Sequence, residues 1–340
     1  MSSADPTPAV SLDGEDILIT GGLGFVGSNL ACRCLELGAR VTVMGLPGES
    51  RRNLWGLEEQ VEVAEGDVRD TEAVERLVEG KSAVFHLAGQ TSHLVSMEQP
   101  HLDLAINCGG TLNVLEAARK ASPASRVLVA STVTASGPAQ ELPADESQRE
   151  HPVNVYDANK LLCEKYCAIY ARAYGLHAVA LRFANIFGER QKLTNPHRGI
   201  LNFMIGRAIL GEPITVYGDG ATLRDYNYVQ NIVDACLLAV CTPETKGQAY
   251  VVGSGRGIAF KDMVTQVNEA VRAAFGHGSE IVHVPFPEGE ERLDAGDYIA
   301  DASALRVATG WTPRVEFEAG LAQTVAFYKE HGARYLEDAP

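Results

Sequence analysis

Short apolar runs alternate with stretches of helical periodicity through the first half of the chain. The runs rich in valine, isoleucine and leucine predict strands at Asp16–Thr20, Arg40–Met44, Val61–Ala64, Ala83–Leu87, Arg126–Ser131 and His177–Arg182. The stretches between them predict helices at Val26–Leu37, Thr71–Glu79, Leu104–Lys120 and Asp157–Tyr174. Because the strands are apolar on both faces, the alternation predicts an α/β fold, a doubly wound parallel sheet covered by helices on both sides.

The alternation breaks after residue 182. Loops rich in glycine, proline and asparagine there precede a helix at Ile200–Leu210 and a strand at Pro213–Tyr217. These insertions predict a smaller C-terminal substrate-binding lobe at the carboxyl ends of the strands, where open α/β sheets bind ligands. The predicted division is a disordered tail over 1–13, the sheet domain over 14–182 plus about 225–252, and the lobe over about 183–224 and 253–335.

Composition narrows the possible partners. The 340 residues are 46% hydrophobic with a formal net charge of −15, which suits a globular core and disfavours nucleic acid, whose binding needs clustered cations. No apolar run approaches the roughly 20 residues that span a bilayer, so no membrane partner is expected. The seven cysteines are odd in number and include no Cys-x-x-Cys pair, which favours a reducing, cytoplasmic setting and no metal site.

Glycines cluster where the first strand meets the first helix. Gly21, Gly22, Gly24 and Gly27 follow Asp16–Thr20 directly. Glycine lets a backbone approach a pyrophosphate closely, and the following helix N-terminus supplies N–H donors. A plain strand-to-helix turn also favours glycine, but the place after the first strand of a βαβ unit favours a dinucleotide site. The predicted contacts are Gly21, Gly24, Phe25, Val26 and Gly27.

A phenol and an ammonium stand one helical turn apart farther along the chain. Tyr156 and Lys160 share a helix face, and a neighbouring ammonium favours the phenolate form of a tyrosine, which can then exchange a proton with a hydroxyl group. Such a pair also arises by chance on helix surfaces. The strand Arg126–Ser131 leads into Thr132 and further hydroxyl residues before Gly137, which is typical either of a site or of an ordinary turn.

The order of glycine loop, strand-end threonine and Tyr-x-x-x-Lys resembles the extended short-chain dehydrogenase/reductase family, in particular its UDP-glucose 4-epimerase-like nucleotide-sugar epimerases and dehydratases. The resemblance covers about residues 15 to 330. It implies a Rossmann-like domain that binds a nicotinamide dinucleotide, and a nucleotide-diphosphate sugar as substrate. It also implies that Thr132, Tyr156 and Lys160 are catalytic, with the lysine contacting the nicotinamide ribose as well.

Further residues match the family's binding positions. The resemblance implies cofactor contacts from Asp67, Val68, Leu87, Ala88, Gly89 and Asn107, although Asp67 is equally typical of a turn or a helix cap. It implies substrate contacts from Thr132, Asn185, Tyr217, Arg224 and Arg292. Arg292 is the weakest match, because Asp294 occupies the position where relatives place an arginine.

The second strand leaves the choice of cofactor open. In the family this strand usually ends in an acidic residue that binds the adenosine ribose, and Gly45 stands there instead. Arg51 and Arg52 follow and could bind the 2′-phosphate of NADP, or could be ordinary surface cations. The resemblance favours NAD, with NADP as the alternative.

The strand-end sequence also bears on the reaction. Relatives that eliminate water or carbon dioxide carry an acidic residue two positions after the active threonine, where this chain has Thr134. Elimination then lacks an obvious acid or base, whereas epimerisation needs none there. We therefore expect an epimerase acting at C4 through a transient keto-sugar. The alternatives are a dehydratase, decarboxylase or keto-sugar reductase, and a non-catalytic dinucleotide sensor, which would have no reason to keep the three catalytic groups together.

Relatives commonly dimerise through two helices, which here correspond to Leu104–Lys120 and Asp157–Tyr174, so a homodimer is expected. The side chains that would cover such an interface are Leu161, Leu162, Ile169 and Tyr170. Burial within the monomer explains the same four apolar side chains equally well.

Overall fold

The computed structural model describes residues 10–196, 199–285 and 296–336. Its strands are β1 Asp16–Thr20, β2 Arg40–Gly45, β3 Val61–Glu65, β4 Ala83–His86, β5 Arg126–Thr132, β6 His177–Phe183, β7 Asn185–Phe187, β8 Ile214–Tyr217, β9 Leu223–Tyr228, β10 Ala249–Val252, β11 Gly257–Ala259 and β12 Ile281–Val284.

The helices are α1 Phe25–Glu36, α2 Thr71–Val78, α3 His93–Glu98, α4 Pro100–Leu104, α5 Gly110–Ala121, α6 Val155–Tyr174, α7 Ile200–Leu210, α8 Val229–Cys241, α9 Phe260–Phe275, α10 Ser303–Thr309, α11 Phe317–His331 and α12 Ala333–Leu336. Within the described ranges, no helix has both the length and the apolarity to cross a bilayer.

Seven parallel strands form the central sheet, in the order β10-β6-β5-β4-β1-β2-β3. This arrangement confirms the predicted doubly wound, Rossmann-like α/β fold. The strand order reverses between β1 and β4, so their carboxyl ends open a crevice of the kind that binds ligands in such sheets. The seventh strand, β10, comes from more than sixty residues beyond β6 and extends one edge.

Two cores lie on opposite faces of this sheet, because successive side chains of a strand point to opposite sides. Ile17 and Ile19 of β1 belong to the core that includes residues of α1 and α8, whereas Leu18 belongs to the core shared with α2, α5 and α6. All three are fully buried, and each contributes on the order of 1.5–3 kcal/mol by leaving water. The resulting rigid sheet fixes where each strand ends.

The smaller lobe has a core of its own. A three-stranded sheet in the order β11-β9-β7 and a two-stranded sheet of β12 and β8 carry it, together with α7, α9 and α11. Met204, Val264 and Phe317 are buried in this second core. Its three-stranded sheet begins directly after β6, so the lobe stands at the carboxyl edge of the central sheet.

Two local predictions are corrected by the structure. The helix predicted at Leu104–Lys120 is not one regular helix, because α4 passes into α5 through a π-helix over Ala105–Gly109. The boundary of the predicted tail also moves, because Leu12 is fully buried and its N–H donates to the Leu37 carbonyl. Residues 1–9 of that tail lie outside the described residues.

Candidate active site

The glycine loop approaches the end of β4 too closely for side chains. Gly21 has a φ of +69°, and a Cβ there would lie 2.8 Å from the Ala88 backbone nitrogen. A Cβ at Gly27 would lie 2.3 Å from the Gly21 carbonyl oxygen. Gly24, the N-cap of α1, has no side chain to cap the first-turn N–H groups. The loop therefore has the space and the donors that the pyrophosphate of a dinucleotide needs.

The end of β4 forms the facing wall of the crevice. His86 is fully buried and hydrogen bonds through Nδ1 to Thr20 Oγ1 at 2.8 Å. Burial lowers the pKa of His86 to about 3, so the ring is neutral at physiological pH. The Ala88 N–H donates to the same Thr20 hydroxyl at 3.2 Å, which fastens the chain after β4 to the strand that carries the glycine loop. Leu87 lines the cavity that opens here.

Gly89 brings two predicted site residues to this wall. A Cβ at Gly89 would lie 2.7 Å from Asn107 Oδ1 and 3.2 Å from Lys160 Nζ. Asn107 Nδ2 donates to the Gln90 carbonyl at 3.0 Å and to Asp103 Oδ1 at 3.1 Å. Its Oδ1 atom is buried without a hydrogen-bond partner among the described residues. Asn107 lies on the π-helix, a deformation that often occurs at functional sites.

Asp67 forms a turn with its neighbour. Its Oδ1 accepts the Arg69 N–H at 2.9 Å, and its Oδ2 accepts Arg69 Nη2 at 2.5 Å. The side-chain hydrogen bonds from Arg69 lower the pKa of Asp67 below its usual range. Val68 is buried and packs where a Cβ of Gly110 would lie. The turn interpretation of Asp67 is therefore present in the structure, and its contact with an adenine stays a prediction.

Thr132, Tyr156 and Lys160 line one cavity of about 410 Å³. Tyr156 and Lys160 are both buried. Lys160 Nζ lies 5.9 Å from the centroid of the Tyr156 ring and donates to the Ala130 carbonyl at 3.1 Å. Burial lowers the pKa of Lys160, and the nearby Cys163 and Asp103 oppose that shift. The structure thus brings the three predicted catalytic groups together.

A directional hydrogen-bond chain runs behind Thr132. Thr134 Oγ1 donates to Asp157 Oδ1 at 2.5 Å and lies 3.0 Å from Thr132 Oγ1. Because the only hydroxyl hydrogen of Thr134 is used on Asp157, Thr132 is the donor between the two threonines. The Thr132 oxygen also accepts the Thr134 N–H at 3.3 Å, so one further lone pair is left on it.

Two residues beside this chain were not predicted to be part of the site. His93 lines the cavity, its ring centroid lies 5.1 Å from that of Tyr156, and its Nε2 lies 3.8 Å from Asp157 Oδ1. Burial raises the pKa of Asp157. The place of Asp157 in the first helical turn, directly after the tyrosine, was the available sequence signal. His93 stands alone in a polar stretch, and no local pattern points to it.

A buried ion pair holds the end of β5 in place. Arg182 on β6 and Glu164 on α6 contact each other at 2.7 Å, and Glu164 also accepts the Ser131 hydroxyl at 2.5 Å. Arg182 also donates to the Ser136 hydroxyl at 2.9 Å. Since Ser131 directly precedes Thr132, this network fixes the strand end that carries the active hydroxyl. Removing one partner of such a pair costs roughly 3–5 kcal/mol.

The predicted substrate residues are only partly brought together. Asn185 and Arg224 line the same cavity as the catalytic groups. Arg224 Nη1 donates to the Leu223 carbonyl at 3.0 Å and to the Gly296 carbonyl. Tyr217 ends β8, is 44% exposed and is not part of the cavity lining. Arg292 lies outside the described residues, so its role stays a prediction.

Two unpredicted polar atoms face this side of the cavity. Tyr226 OH and Gln191 Oε1 are buried without hydrogen-bond partners among the described residues, and both residues line the cavity. Tyr226 and Arg224 share one face of β9, because alternate residues of a strand do so, which was a usable sequence signal. No local signal points to Gln191. Across the described ranges, no three or more potential metal ligands come together.

Comparisons with known proteins identify the family of this chain. A profile of the "NAD dependent epimerase/dehydratase family" matches residues 17–253. The UDP-glucose 4-epimerase of Mycolicibacterium smegmatis is 31% identical over 92% of this chain and 98% of that protein. The solved UDP-glucose 4-epimerase of Thermotoga maritima with UDP-glucose is 30% identical, with a TM-score of 0.83 over 93% of this chain and 99% of that one. The Thermus thermophilus UDP-glucose 4-epimerase, solved with NAD, is 32% identical, with a TM-score of 0.79 over 92% of this chain and 99% of that one.

The match extends over the strands, the glycine loop, the strand-end threonine and the Tyr-x-x-x-Lys pair. It covers more than half of the chain and nearly the full length of each relative. The predicted family resemblance is confirmed, and this chain belongs to the NAD-dependent epimerase/dehydratase family.

Proposed function

We propose that this protein is a nucleotide-sugar epimerase that inverts C4 through a transient keto-sugar and uses NAD. The observation that carries the proposal is the convergence of Thr132, Tyr156 and Lys160 on one cavity, which also reaches Phe25 and Val26 of the glycine loop. The relatives named with NAD and with UDP-glucose support the same cofactor and substrate class.

The crevice between β1 and β4 fits the dinucleotide. The loop from Gly21 to Gly27 would hold the pyrophosphate, with the first-turn N–H groups of α1 as donors. The other residues that we assign to the cofactor are Asp67, Val68, Leu87, Ala88, Gly89, Asn107, Tyr156 and Lys160. When bound, the nicotinamide supplies a reversible hydride acceptor for the alcohol at C4.

The chain's own residues would handle the proton and the substrate. The Tyr156 phenolate takes the proton of the sugar hydroxyl and later returns it, and the nearby Lys160 ammonium favours the phenolate. Thr132 lines the same cavity and would position the reacting sugar beside Tyr156. Arg224 and Asn185 would bind the diphosphate. Tyr217 and Arg292 keep their predicted contacts with the base and the phosphate.

A second candidate is elimination of water or carbon dioxide after oxidation. Thr134 has no carboxylate, but its hydroxyl donates to Asp157 at 2.5 Å. An acidic group is therefore connected to the end of β5 through the Thr134 hydroxyl. Burial raises the pKa of Asp157, which keeps it protonated to a higher pH than an ordinary aspartate. The epimerase is preferred because a threonine, and not the acid itself, faces the cavity.

Two measurements test the proposal. The purified protein is denatured, and mass spectrometry identifies the released dinucleotide and sugar nucleotide; we expect NAD. The native protein is then incubated with UDP-glucose, and NMR should show UDP-galactose without net consumption of dinucleotide. A dehydrated product would instead support the second candidate, and stoichiometric oxidation of added reduced dinucleotide would support a reductase. Unchanged function in Tyr156→Phe would support a non-catalytic sensor.

We also propose a homodimer built on α3, α4 and α6, three helices that contact one another. Their exposed apolar side chains, each 36–59% exposed, are Leu94, Met97, Leu104, Leu162 and Ile169. Tyr170 instead belongs to the monomer core and donates to Glu116 at 2.6 Å. Light scattering at micromolar concentration should show a dimer that Ile169→Lys converts to a monomer. A monomeric parent protein would overturn the dimer.

All seven cysteines are free thiols. This supports the proposal of a reducing, cytoplasmic setting, because thiols of a protein in an oxidising compartment tend to pair.

A further inference from the structure

The end of β2 lacks the acidic residue that usually binds the adenosine ribose in dinucleotide folds, and a steric reason is visible. A Cβ at Gly45 would lie 2.3 Å from Leu23 Cδ1. Leu23 belongs to the glycine loop and is buried, 4% exposed. A side chain at position 45 would therefore displace the buried side chain of Leu23, which belongs to the loop that is expected to hold the pyrophosphate.

The same space is bordered by a carboxylate from the next turn. A Cβ at Gly45 would lie 3.0 Å from Glu49 Oε2. An aspartate at position 45 would place its own carboxyl oxygens about 2.4 Å from that Cβ, by standard bond lengths. The carboxylate of Glu49 thus lies next to the space that an aspartate side chain at the end of β2 would enter.

The local sequence explains why Glu49 returns to this point. Leu46, Pro47, Gly48 and Glu49 form a tight turn in which the Glu49 N–H donates to the Leu46 carbonyl at 3.0 Å. Proline at the second position and a glycine with a φ of +75° at the third are typical of a type II turn. The Leu46 N–H donates to Glu49 Oε2 at 2.9 Å, which fixes the carboxylate beside Gly45. Glu49 Oε1 receives no hydrogen bond from the part of the chain that the structure describes.

The two arginines that favoured NADP from sequence contact other protein groups. Arg51 Nη2 lies 3.5 Å from Glu65 Oε1, and Glu65 is the register partner of Gly45 on β3. Arg52 Nη1 donates to the Arg334 carbonyl at 3.0 Å. The strand ends beside the expected ribose therefore carry two carboxylates, and the nearer arginine is shared with one of them.

We propose that Glu49 is the ribose-binding acid of this enzyme and selects NAD against NADP. This inference rests on the proposed dinucleotide site. The carboxylate accepts hydrogen bonds from the ribose hydroxyls of NAD, and it repels the extra phosphate of NADP, since like charges brought together at a binding site oppose association. Glu49 thus replaces, from a turn, the carboxylate that Gly45 cannot carry.

Binding measurements test the inference without any turnover. The full chain is stripped of nucleotide on charcoal and titrated calorimetrically with ADP-ribose and with 2′-phospho-ADP-ribose. We expect the parent protein to prefer ADP-ribose by about 100-fold. In Glu49→Gln the amide oxygen can still accept the Leu46 N–H while the charge is removed. ADP-ribose should then bind about tenfold more weakly, and the preference should shrink by at least as much.

Two further variants separate the charge from the fold. Glu49→Asp keeps the charge on a shorter side chain and should retain part of the preference. Glu58→Gln makes the same change at an exposed glutamate on the turn before β3, at the amino ends of the strands and away from the carboxyl end of β2, and should bind both ligands as the parent does.

Unchanged affinities in Glu49→Gln, or a parent protein that prefers the 2′-phosphorylated ligand, would overturn the role of Glu49 while leaving the dinucleotide site intact. Failure of both ligands to bind the parent protein would overturn the proposed cofactor site and this inference together.

Discussion

The cofactor side and the sugar side of the cleft are built in different ways. The cofactor side consists of adjacent strand ends of one parallel sheet that are joined by short internal hydrogen bonds, such as Thr20 with His86, and Asn107 Oδ1 is an atom there without a partner among the described residues. The sugar side combines residues of β7, β9 and the segment near Gly296, and two of its lining residues, Tyr226 and Gln191, carry buried polar atoms without a hydrogen-bond partner among the described residues. Where the protein satisfies its own polar groups the wall is rigid, and where it leaves them open a substrate can supply the partner.

The largest expected effect lies where the two sides meet. Tyr156→Phe should lower the rate of UDP-glucose and UDP-galactose interconversion by about a thousandfold, because it removes the proton-exchanging hydroxyl. ADP-ribose and UDP should still bind, which calorimetry would show.

Tyr170→Phe is the matched control on the same helix, since its hydroxyl donates to Glu116 outside the cavity. It should keep the rate and lose about 1 kcal/mol of stability. A Tyr156→Phe variant with the parent rate would remove the catalytic assignment.

The next effect isolates the cofactor side. Gly27→Ala places a methyl group 2.3 Å from the Gly21 carbonyl, so it should destabilise the fold by about 1–3 kcal/mol and weaken ADP-ribose binding more than tenfold, with UDP binding retained. Gly109→Ala is the control, because its Cβ would meet nothing closer than 3.9 Å. Equal loss of UDP and ADP-ribose binding would mean that the two sides are not independent.

The buried histidine sharpens the contrast through pH. The folded-state pKa of His86 is about 3, below the unfolded value near 6.5, so the unfolded chain takes up a proton first as the pH falls. Stability should therefore drop below pH 6.5 by up to about 1.4 kcal/mol per pH unit until the folded pKa is reached. Urea unfolding at pH values from 7 to 4 gives the free energy of unfolding as a function of pH. In His86→Asn, the slope of that free energy against pH should correspond to one proton fewer than in the parent protein.

The smallest effect concerns the sugar side. Tyr226→Phe removes a hydroxyl that has no partner among the described residues, so stability should not fall, while UDP-glucose should bind about fivefold more weakly through loss of about 1 kcal/mol. Tyr228→Phe should instead lower stability and leave UDP-glucose binding unchanged, since the Tyr228 hydroxyl donates to Glu189 at 2.5 Å and stabilises the fold. If Tyr226→Phe destabilised the protein without affecting binding, the Tyr226 hydroxyl would serve the fold, and the contrast between the two sides of the cleft would be lost.

The sequence by itself determined the features that depend on nearby residues. The strands predicted for the central sheet, the glycine loop and the pairing of Tyr156 with Lys160 follow from short apolar runs, from the helical periodicity of 3.6 and from spacings within one turn. The Leu46–Glu49 turn is equally local, because its proline and glycine prescribe the backbone, although its meaning at the end of β2 was not visible.

Only the tertiary structure decided which distant groups meet. β10 joins the main sheet beside β6, Asp157 lies behind Thr134, and Glu49 fills the space beside Gly45. Residues about 225–252 were predicted to belong to the sheet domain and Asp157 directly follows Tyr156, but no local pattern names the partners in these contacts. Strand order and side-chain approach are set by burying both faces of the sheet and not by any neighbour along the chain. The physical reason is that local patterns fix the conformation of each segment, whereas the free energy of packing fixes how the segments are arranged.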